Sequence, residues 1–178
     1  MWNYELGMAR RLLNDRLSVE LTGFTAKGEN LILTEGQFPN VENRNSGDFQ
    51  NRGIEFESRY SVSSHVRLTG NYSFLHMDEP IVSSPEHQAF VECTYSIGAL
   101  SLKSSITHIG SLYTAVSPQA TETETYTLLN ARLSIRPHAD VEIFVSGENL
   151  TDESYEINKG YPMPGVTVSG GIHLHHFL

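Results

Sequence analysis

Ser104 and His108 lie four residues apart on one face of an alternating apolar and polar segment, and a hydroxyl with an imidazole is the pair that nucleophilic catalysis uses. No G-x-S-x-G elbow accompanies them, and no enzymatic activity is expected. His173, His175 and His176 close the chain; the first two share a strand face at i, i+2, a spacing that can chelate a metal. The alternative is a pair of polar side chains facing water, and that is the expectation, so neither a cofactor nor a bound metal is expected. His76, Asp78, Glu79, Glu86 and His87 gather oxygen and nitrogen donors that suit calcium or a metal chelate, although solvated loop polarity explains them as well. Cys93 is the only cysteine, which removes any internal disulfide or cysteine-based zinc knuckle. Asn71-Tyr72-Ser73 and Asn149-Leu150-Thr151 match glycosylation sequons, as chance matches within strands.

The elements that carry these residues read as strands throughout. Tyr4, Leu6 and Met8 alternate with Asn3, Glu5 and Gly7; Leu17, Val19 and Leu21 with Ser18, Glu20 and Thr22, a strand expected to continue through Asn30 to Leu33. A turn near Gln37 to Asn40 returns the chain, and the polar run Val41 to Gln50 is expected to lead directly into the strand holding Ile54, Phe56 and Tyr60. Further strands carry Val66, Leu68, Tyr72 and Phe74; Ala89, Val91, Cys93, Tyr95 and Ile97; Leu100, Leu102 and Ile106; and Leu129, Ala131, Leu133 and Ile135. The last hairpin sets Val141, Ile143 and Val145 against Val166, Val168, Ile172 and Leu174. The count is about nine, with short turns near residues 11–15, 61–65, 97–99 and 136–140, all at one end, and long loops at the other, including 77–85 and 113–123.

Composition bounds the reading from outside. The 178 residues suit one domain, and a net charge of −9, from 21 acids and 12 bases, disfavours a nucleic-acid partner. No stretch approaches the ~18 apolar residues of a membrane-spanning helix. A mean hydropathy of −0.28 nevertheless suits a membrane β-barrel, whose strands alternate and average to a soluble-looking value. The chain opens directly in a strand pattern, without a basic and apolar leader.

Two faces follow from the alternation. One is aliphatic, with Val66, Leu68, Tyr72, Leu129, Leu133, Val141, Ile143 and Val145 expected to face lipid, and with Tyr4, Tyr60, Tyr72, Phe74, Tyr95, Tyr113 and Tyr126 expected to form aromatic girdles. The other carries Glu5, Glu20, Glu55, Glu57, Arg59, Arg67, Glu92, Lys103, Arg132 and Glu142, a density of charge that a dry core does not tolerate. Glu55, Glu57, Arg59, Arg67 and Arg132 are the candidates to face a wet lumen. The fold class is therefore all-β, an antiparallel up-and-down transmembrane barrel. An odd number of strands argues against closure by this chain alone, and an open sheet leaves two unpaired edges.

Glu148-Asn149-Leu150-Thr151-Asp152, followed by Tyr155, resembles the ENLTDxxY signature of TonB-dependent outer-membrane receptors. Trp2-Asn3-Tyr4-Glu5-Leu6-Gly7, Asn51-Arg52-Gly53-Ile54-Glu55-Phe56 and Gly160-Tyr161-Pro162-Met163-Pro164-Gly165 resemble other strands and the final loop of that family, in the same order. The resemblance implies that residues 1–178 are about nine strands of a 22-strand type of barrel, without its plug domain or signal peptide. It implies a Gram-negative outer-membrane location, and partners that include membrane lipid, the plug domain with the remaining strands, the TonB energy-coupling complex, and a metal chelate as ligand. An iron-siderophore complex leads, ahead of cobalamin or another chelate. A small independent outer-membrane barrel and a soluble ligand-binding barrel are the alternatives. Ligand choice would fall to residues 36–49, 77–87, 113–123 and 152–164. The family's closing strand ends on an aromatic, whereas Phe177 is penultimate here and out of phase unless a bulge at Gly170-Gly171 restores it.

Overall fold

The computed structural model describes residues 1–29, 32–37, 39–45, 48–116 and 121–174, and every regular element among them is a strand. In chain order these are β1 (Trp2–Leu12), β2 (Leu17–Glu29), β3 (Ile32–Gln37), β4 (Asn40–Asn45), β5 (Asp48–Ser61), β6 (Val66–Met77), β7 (Pro85–Ile97), β8 (Leu100–Val116), β9 (Thr121–His138), β10 (Val141–Glu148), β11 (Glu156–Asn158), β12 (Tyr161–Pro162) and β13 (Thr167–Leu174). Nine of them form one antiparallel sheet in the order β1-β2-β5-β6-β7-β8-β9-β10-β13, while β3 with β4 and β11 with β12 form separate two-stranded ribbons. Each strand of the sheet pairs with its chain neighbours, so the topology is up-and-down, and β1 and β13 leave the sheet open at its two edges.

The tight turns fall where the sequence places them. Leu13, Asn14 and Asp15 take left-handed φ values of 55°, 55° and 64°, which asparagine and aspartate tolerate best, and Gly98 (φ 56°) makes the turn between β7 and β8. The Arg16 guanidinium donates to the carbonyls of Ser61 (2.9 Å) and Val62, tying the first turn to the second.

Several expectations are corrected. Ile32 and Leu33 do not extend β2; they open a ribbon in which Ile32 pairs with Asn45 and Gln37 with Asn40, so the polar run after Val41 belongs mostly to that ribbon rather than to β5. Most of 113–123 is strand, because Tyr113 pairs with Thr123 and Val116 with Thr121. The pairing of β10 with β13 runs unbroken from Val141↔Leu174 to Glu148↔Thr167, so no bulge sits at Gly170-Gly171. Phe177, Leu178, His175 and His176 lie outside the described residues.

Cross-strand pairing carries one face across all nine strands. Met8 lies opposite Leu21, Leu21 opposite Phe56, Phe56 opposite Tyr72, Tyr72 opposite Ala89, and Leu102 opposite Leu133, which in turn faces Val145. Val66, Leu68, Tyr72, Leu129, Leu133, Val141, Ile143 and Val145 all share it. The register also steps. The last pair of the first hairpin, Leu12↔Leu17, is level with Tyr60↔Leu68, one residue short of the second hairpin's Ser61↔Arg67. The third hairpin ends three residues beyond Arg67↔Thr94, at Ile97↔Leu100, and the fourth two to three beyond Ile135↔Ile143, at Val141↔His138. Six or seven residues over six strand spacings make about one residue per strand, or ~3.3 Å along for ~4.8 Å across, a tilt of roughly 35°. That is the tilt of a closed barrel wall.

Burial is correspondingly sparse. Met77, Ile109, Leu112 and Tyr126 are the only buried hydrophobic residues among those described, whereas Leu68, Val91, Leu102, Ile106, Leu133, Ile143 and Val145 all stand 36% or more exposed. The accessible surface is 12192 Å², against about 8,700 Å² for a compact monomer of 19.9 kDa.

Candidate functional site

The polar face is built from the odd-numbered residues of β5 and their cross-strand partners. Glu20 lies opposite Glu57, and Thr22 opposite Glu55. Like charges set opposite each other destabilise a sheet unless they are neutralised, and Arg59 forms an ion pair with Glu57. Toward the other edge Lys103 lies opposite Arg132, with Glu92 at 3.9 Å from the Lys103 ammonium. Glu142, 7% exposed, accepts hydrogen bonds from Arg132 (2.9 Å) and Arg136 (2.9 Å). The Arg132 guanidinium also stacks 3.6 Å above the Phe144 ring. That ring occupies the space over Gly171, where a Cβ would come within 3.0 Å of it, and the His173 ring packs against it at 5.0 Å. Glu55, Glu57, Arg59, Arg67 and Arg132 share this face, and the pairing places them along one wall rather than in one cluster.

The end of the wall opposite the tight turns is capped by residues 149–166. Their anchor is Asn149, 4% exposed and held at φ 50°. Its Nδ2 donates to the carbonyls of Glu153 (2.9 Å) and Pro164 (3.2 Å), its Oδ1 accepts from the Glu153 amide (2.9 Å), and its own amide donates to Asn130 Oδ1 (2.9 Å). The Leu150 amide donates to the Leu129 carbonyl at 2.8 Å, and Asp152 Oδ1 accepts from the Val166 amide at 3.2 Å. Gly165 leaves room for that carboxylate, since a Cβ there would sit 2.4 Å from it. The motif Glu148 to Asp152 is thus a turn that folds the segment back and delivers Tyr155 to the wall.

Tyr155 stacks on Tyr126 with ring centroids 4.2 Å apart, and together with Ile157 and Leu128 it packs on the small core of Ile109, Leu112 and Tyr126. Tyr126 therefore belongs to the polar face, not to a girdle on the aliphatic one. A register shift between Ile109 and Leu112, with Ser111 at φ 51°, turns Leu112 toward that core. Polar tethers complete the cap: the Glu156 amide donates to Glu124 Oε2 (2.7 Å), the Lys159 amide to the Thr114 carbonyl (3.1 Å), the Lys159 ammonium pairs with Glu122, and the Ser83 hydroxyl donates to Asn158 (2.9 Å). Beneath lies a concavity of about 510 Å³ bordered by Lys103, Asn130, Arg132, Glu92, Tyr155 and Met163.

The other candidates separate. Ser104 and His108 share the aliphatic face but stand four strand residues apart, about 13 Å, beyond any direct proton transfer, and His108 Nδ1 is 2.9 Å from Thr127 Oγ1. The donors of the 76–87 region diverge: His76 lies 3.8 Å from Asp78, Glu86 accepts from the Tyr113 hydroxyl at 2.6 Å, and His87 Nδ1 contacts the Tyr72 hydroxyl at 2.8 Å beside Phe74. Among the described residues no three His, Cys, Asp or Glu side chains converge as a metal site. Sequence reasoning missed Arg136, Phe144 and Glu124. The pairing of Phe144 with Gly171 is the signal that marks Phe144, because an aromatic opposite a glycine asks for a partner on its free side, here Arg132; Arg136 is marked only by its contact with Glu142.

The family model described as TonB dependent receptor-like, beta-barrel, matches residues 1–150. No curated protein matches the sequence. Among solved structures, the ferric-catecholate import receptor Fiu of Escherichia coli K12 in its closed form is similar at TM-score 0.74 and 20% identity, over 98% of this chain and 27% of its own. The copper transporter OprC is similar at TM-score 0.80 and 15% identity, over 98% and 31%. The ferric enterobactin receptor PfeA of Pseudomonas aeruginosa, in complex with enterobactin, is similar at TM-score 0.77 and 16% identity, over 97% and 31%. The chain spans about a quarter to a third of the length of these structures.

Proposed function

The chain belongs to the TonB-dependent receptor β-barrel family, and on that premise we propose that it is part of the wall of an outer-membrane receptor that actively takes up a scarce ligand, a ferric chelate. The observation that carries this reading is an uncharged belt. Along each strand, counting from its tight turn, the aliphatic face runs for about eight residues, and among the described residues Arg10 is the only charged side chain within that span. At ~3.3 Å per residue and a tilt near 35°, eight to nine residues rise about 22–24 Å, close to the ~25 Å apolar band of an outer-membrane barrel. A soluble ligand-binding barrel would expose that whole belt to water, far beyond the patch of ~300–600 Å² that a monomer usually shows.

In this orientation Val66, Leu68, Tyr72, Leu129, Leu133, Val141, Ile143 and Val145 meet lipid. Glu55, Glu57, Arg59, Arg67 and Arg132 line the lumen and make polar contacts with a plug domain, through which the TonB complex delivers energy. The cap over 149–166 lies at the outer mouth. The choice of cargo is supported by the ferric-catecholate and ferric enterobactin receptors, whose fold is shared, and by the chemistry of the concavity. Ferric catecholates are anionic and aromatic, and Lys103, Arg132 and Tyr155 offer charge and a ring to match. The test is uptake of radioactive iron, as a catecholate chelate, by cells carrying this chain in its complete barrel. Uptake should require TonB, and Lys103→Glu with Arg132→Glu should weaken chelate binding at least about tenfold. Equal uptake in cells without TonB would overturn the reading.

A further inference from the structure

Two histidines that no sequence motif connects meet across β7 and β8. His87 lies opposite Gly110 and His108 opposite Ala89, so the two rings are diagonal neighbours on adjacent strands, with Cα atoms about 7–8 Å apart. Parity puts both on the face of Val91 and Ile106. Glycine is what lets the rings approach. A Cβ on Gly110 would come 3.2 Å from the His87 Cβ, 3.6 Å from His108 Nε2 and 3.8 Å from His87 Cδ2. Both rings therefore border the ground that this residue leaves without a side chain.

The two rings are held in the same way, through the same nitrogen. The Tyr72 hydroxyl of β6 lies 2.8 Å from His87 Nδ1, and the Thr127 hydroxyl of β9 lies 2.9 Å from His108 Nδ1. The Phe74 ring backs His87, with centroids 5.1 Å apart. In the tautomer whose Nδ1 donates to its hydroxyl, Nε2 keeps a free lone pair, and this holds for both rings. A metal-binding imidazole is oriented by this device, because a partner on the second nitrogen fixes both the tautomer and the plane of the ring. His76 is engaged differently, 3.8 Å from Asp78 through its Nε2.

We propose that His87 and His108 bind one divalent transition-metal ion, of the copper, nickel or zinc class, through their Nε2 atoms above Gly110, with water in the remaining positions. Two neutral imidazole nitrogens suit these borderline ions, whereas calcium and magnesium take oxygen donors. Cu2+ binds such a nitrogen pair most tightly of the series. The bound ion fastens β7 to β8 beside Ser111 (φ 51°) and the register shift between Ile109 and Leu112, the irregularity that turns Leu112 toward the small core beneath the cap. The pair belongs to the sheet itself, so the site does not depend on the cargo or on which end of the wall faces the cell.

The experiment takes the chain in its complete barrel, in detergent micelles, strips it with a chelator and titrates it with Cu2+ alone. Pulsed electron paramagnetic resonance then counts the imidazoles on the ion, because the remote nitrogen of each bound ring modulates the electron spin echo. The parent should show a two-imidazole signal that saturates at one equivalent. His87→Gln and His108→Gln should each remove it, and the pair His175→Gln with His176→Gln should leave it in place. Tyr72→Phe and Thr127→Val, which delete only the hydroxyls, should each weaken binding about 10–100-fold while two imidazoles are still counted at saturation. A purely structural role for these hydroxyls would not move the copper affinity. The proposal is overturned by a parent without a two-imidazole signal, by a signal unchanged in both His87→Gln and His108→Gln, or by hydroxyl variants that bind as tightly as the parent.

Discussion

Replacing Asn149 by Ala should release the cap over 149–166 while leaving the sheet intact. The magnitude follows from the contacts. Alanine removes three side-chain hydrogen bonds, two donated to the carbonyls of Glu153 and Pro164 and one accepted from the Glu153 amide. At about 1 kcal/mol net for each, the loss is about 3 kcal/mol. The backbone at φ 50° adds about 1 kcal/mol, because alanine lacks asparagine's tolerance of the left-handed region. The backbone bond to Asn130 survives, so Asn149→Ala should cost about 4 kcal/mol and Asn149→Gly about 3 kcal/mol, the difference being the conformational share. The energy is local to the cap, so global unfolding is the wrong readout. Hydrogen exchange at the Glu153 amide is the right one, since a loss of about 4 kcal/mol in Asn149→Ala accelerates exchange on the order of a thousandfold, and about 3 kcal/mol in Asn149→Gly on the order of a hundredfold. Unchanged protection there, with exchange altered only in β9 and β10, would refute the assignment of Asn149 as the anchor.

The remaining predictions probe each face in turn. Leu133 lies five residues from the turn at His138 and Leu68 only one from Arg67, so Leu133→Arg should cost about 2–4 kcal/mol of insertion free energy and Leu68→Arg about 0–1 kcal/mol. Equal costs in a detergent-to-bilayer folding titration would contradict the tilt. Gly53→Ala should destabilise the wall by about 1–3 kcal/mol, because a Cβ would come within 2.4 Å of the Phe74 carbonyl and 2.6 Å of the Phe24 ring. Adding Phe24→Ala should return only the ring's share of that loss, and full recovery would show that the carbonyl contact does not matter. Tyr155→Ala should lose the 4.2 Å stack on Tyr126, worth about 0.5–1.5 kcal/mol beyond its buried area, and make residues 153–163 cleavable by added protease. An intact, protease-resistant cap would refute that packing role.

Alternation made most of the wall legible, since a side chain's face depends only on parity once the strand is recognised. Leu129, Leu133, Val141, Ile143 and Val145 could be placed on one side and Glu55, Glu57, Arg59 and Arg132 on the other without knowing which strands pair. Parity fails where the backbone breaks phase. Tyr126 reads as one more aromatic in a series, but the register shift between Ile109 and Leu112 builds a small core beside it, and only the arrival of Tyr155 from the cap gives that core a lid. The Thr121-Glu122-Thr123 run reads as loop because it lacks apolar residues, yet it is strand. A strand with water on both faces needs no apolar side.

Register is the second quantity that composition hides. Asn30 to Leu33 looks like more of β2, because a short apolar run carries no mark of its partner, and Ile32 in fact pairs with Asn45. The tilt of the sheet has this origin, and so has the common height of Lys27, Arg52, His76, His87 and His108, which stand on the aliphatic side of five consecutive strands, eight to ten residues from the tight turns. Those five residues are scattered over more than eighty positions and belong to no motif. They become a row only because each hairpin steps along the last by about one residue per strand, which is also what lets flat strand pairing close into a barrel. The step that tilts the wall therefore also sets where its apolar belt must end. A mutation that slipped one strand by a single residue would turn that strand's aliphatic side chains onto the polar face and its charges onto the aliphatic face, while a slip of two would keep both faces and displace its side chains by about 6–7 Å along the strand.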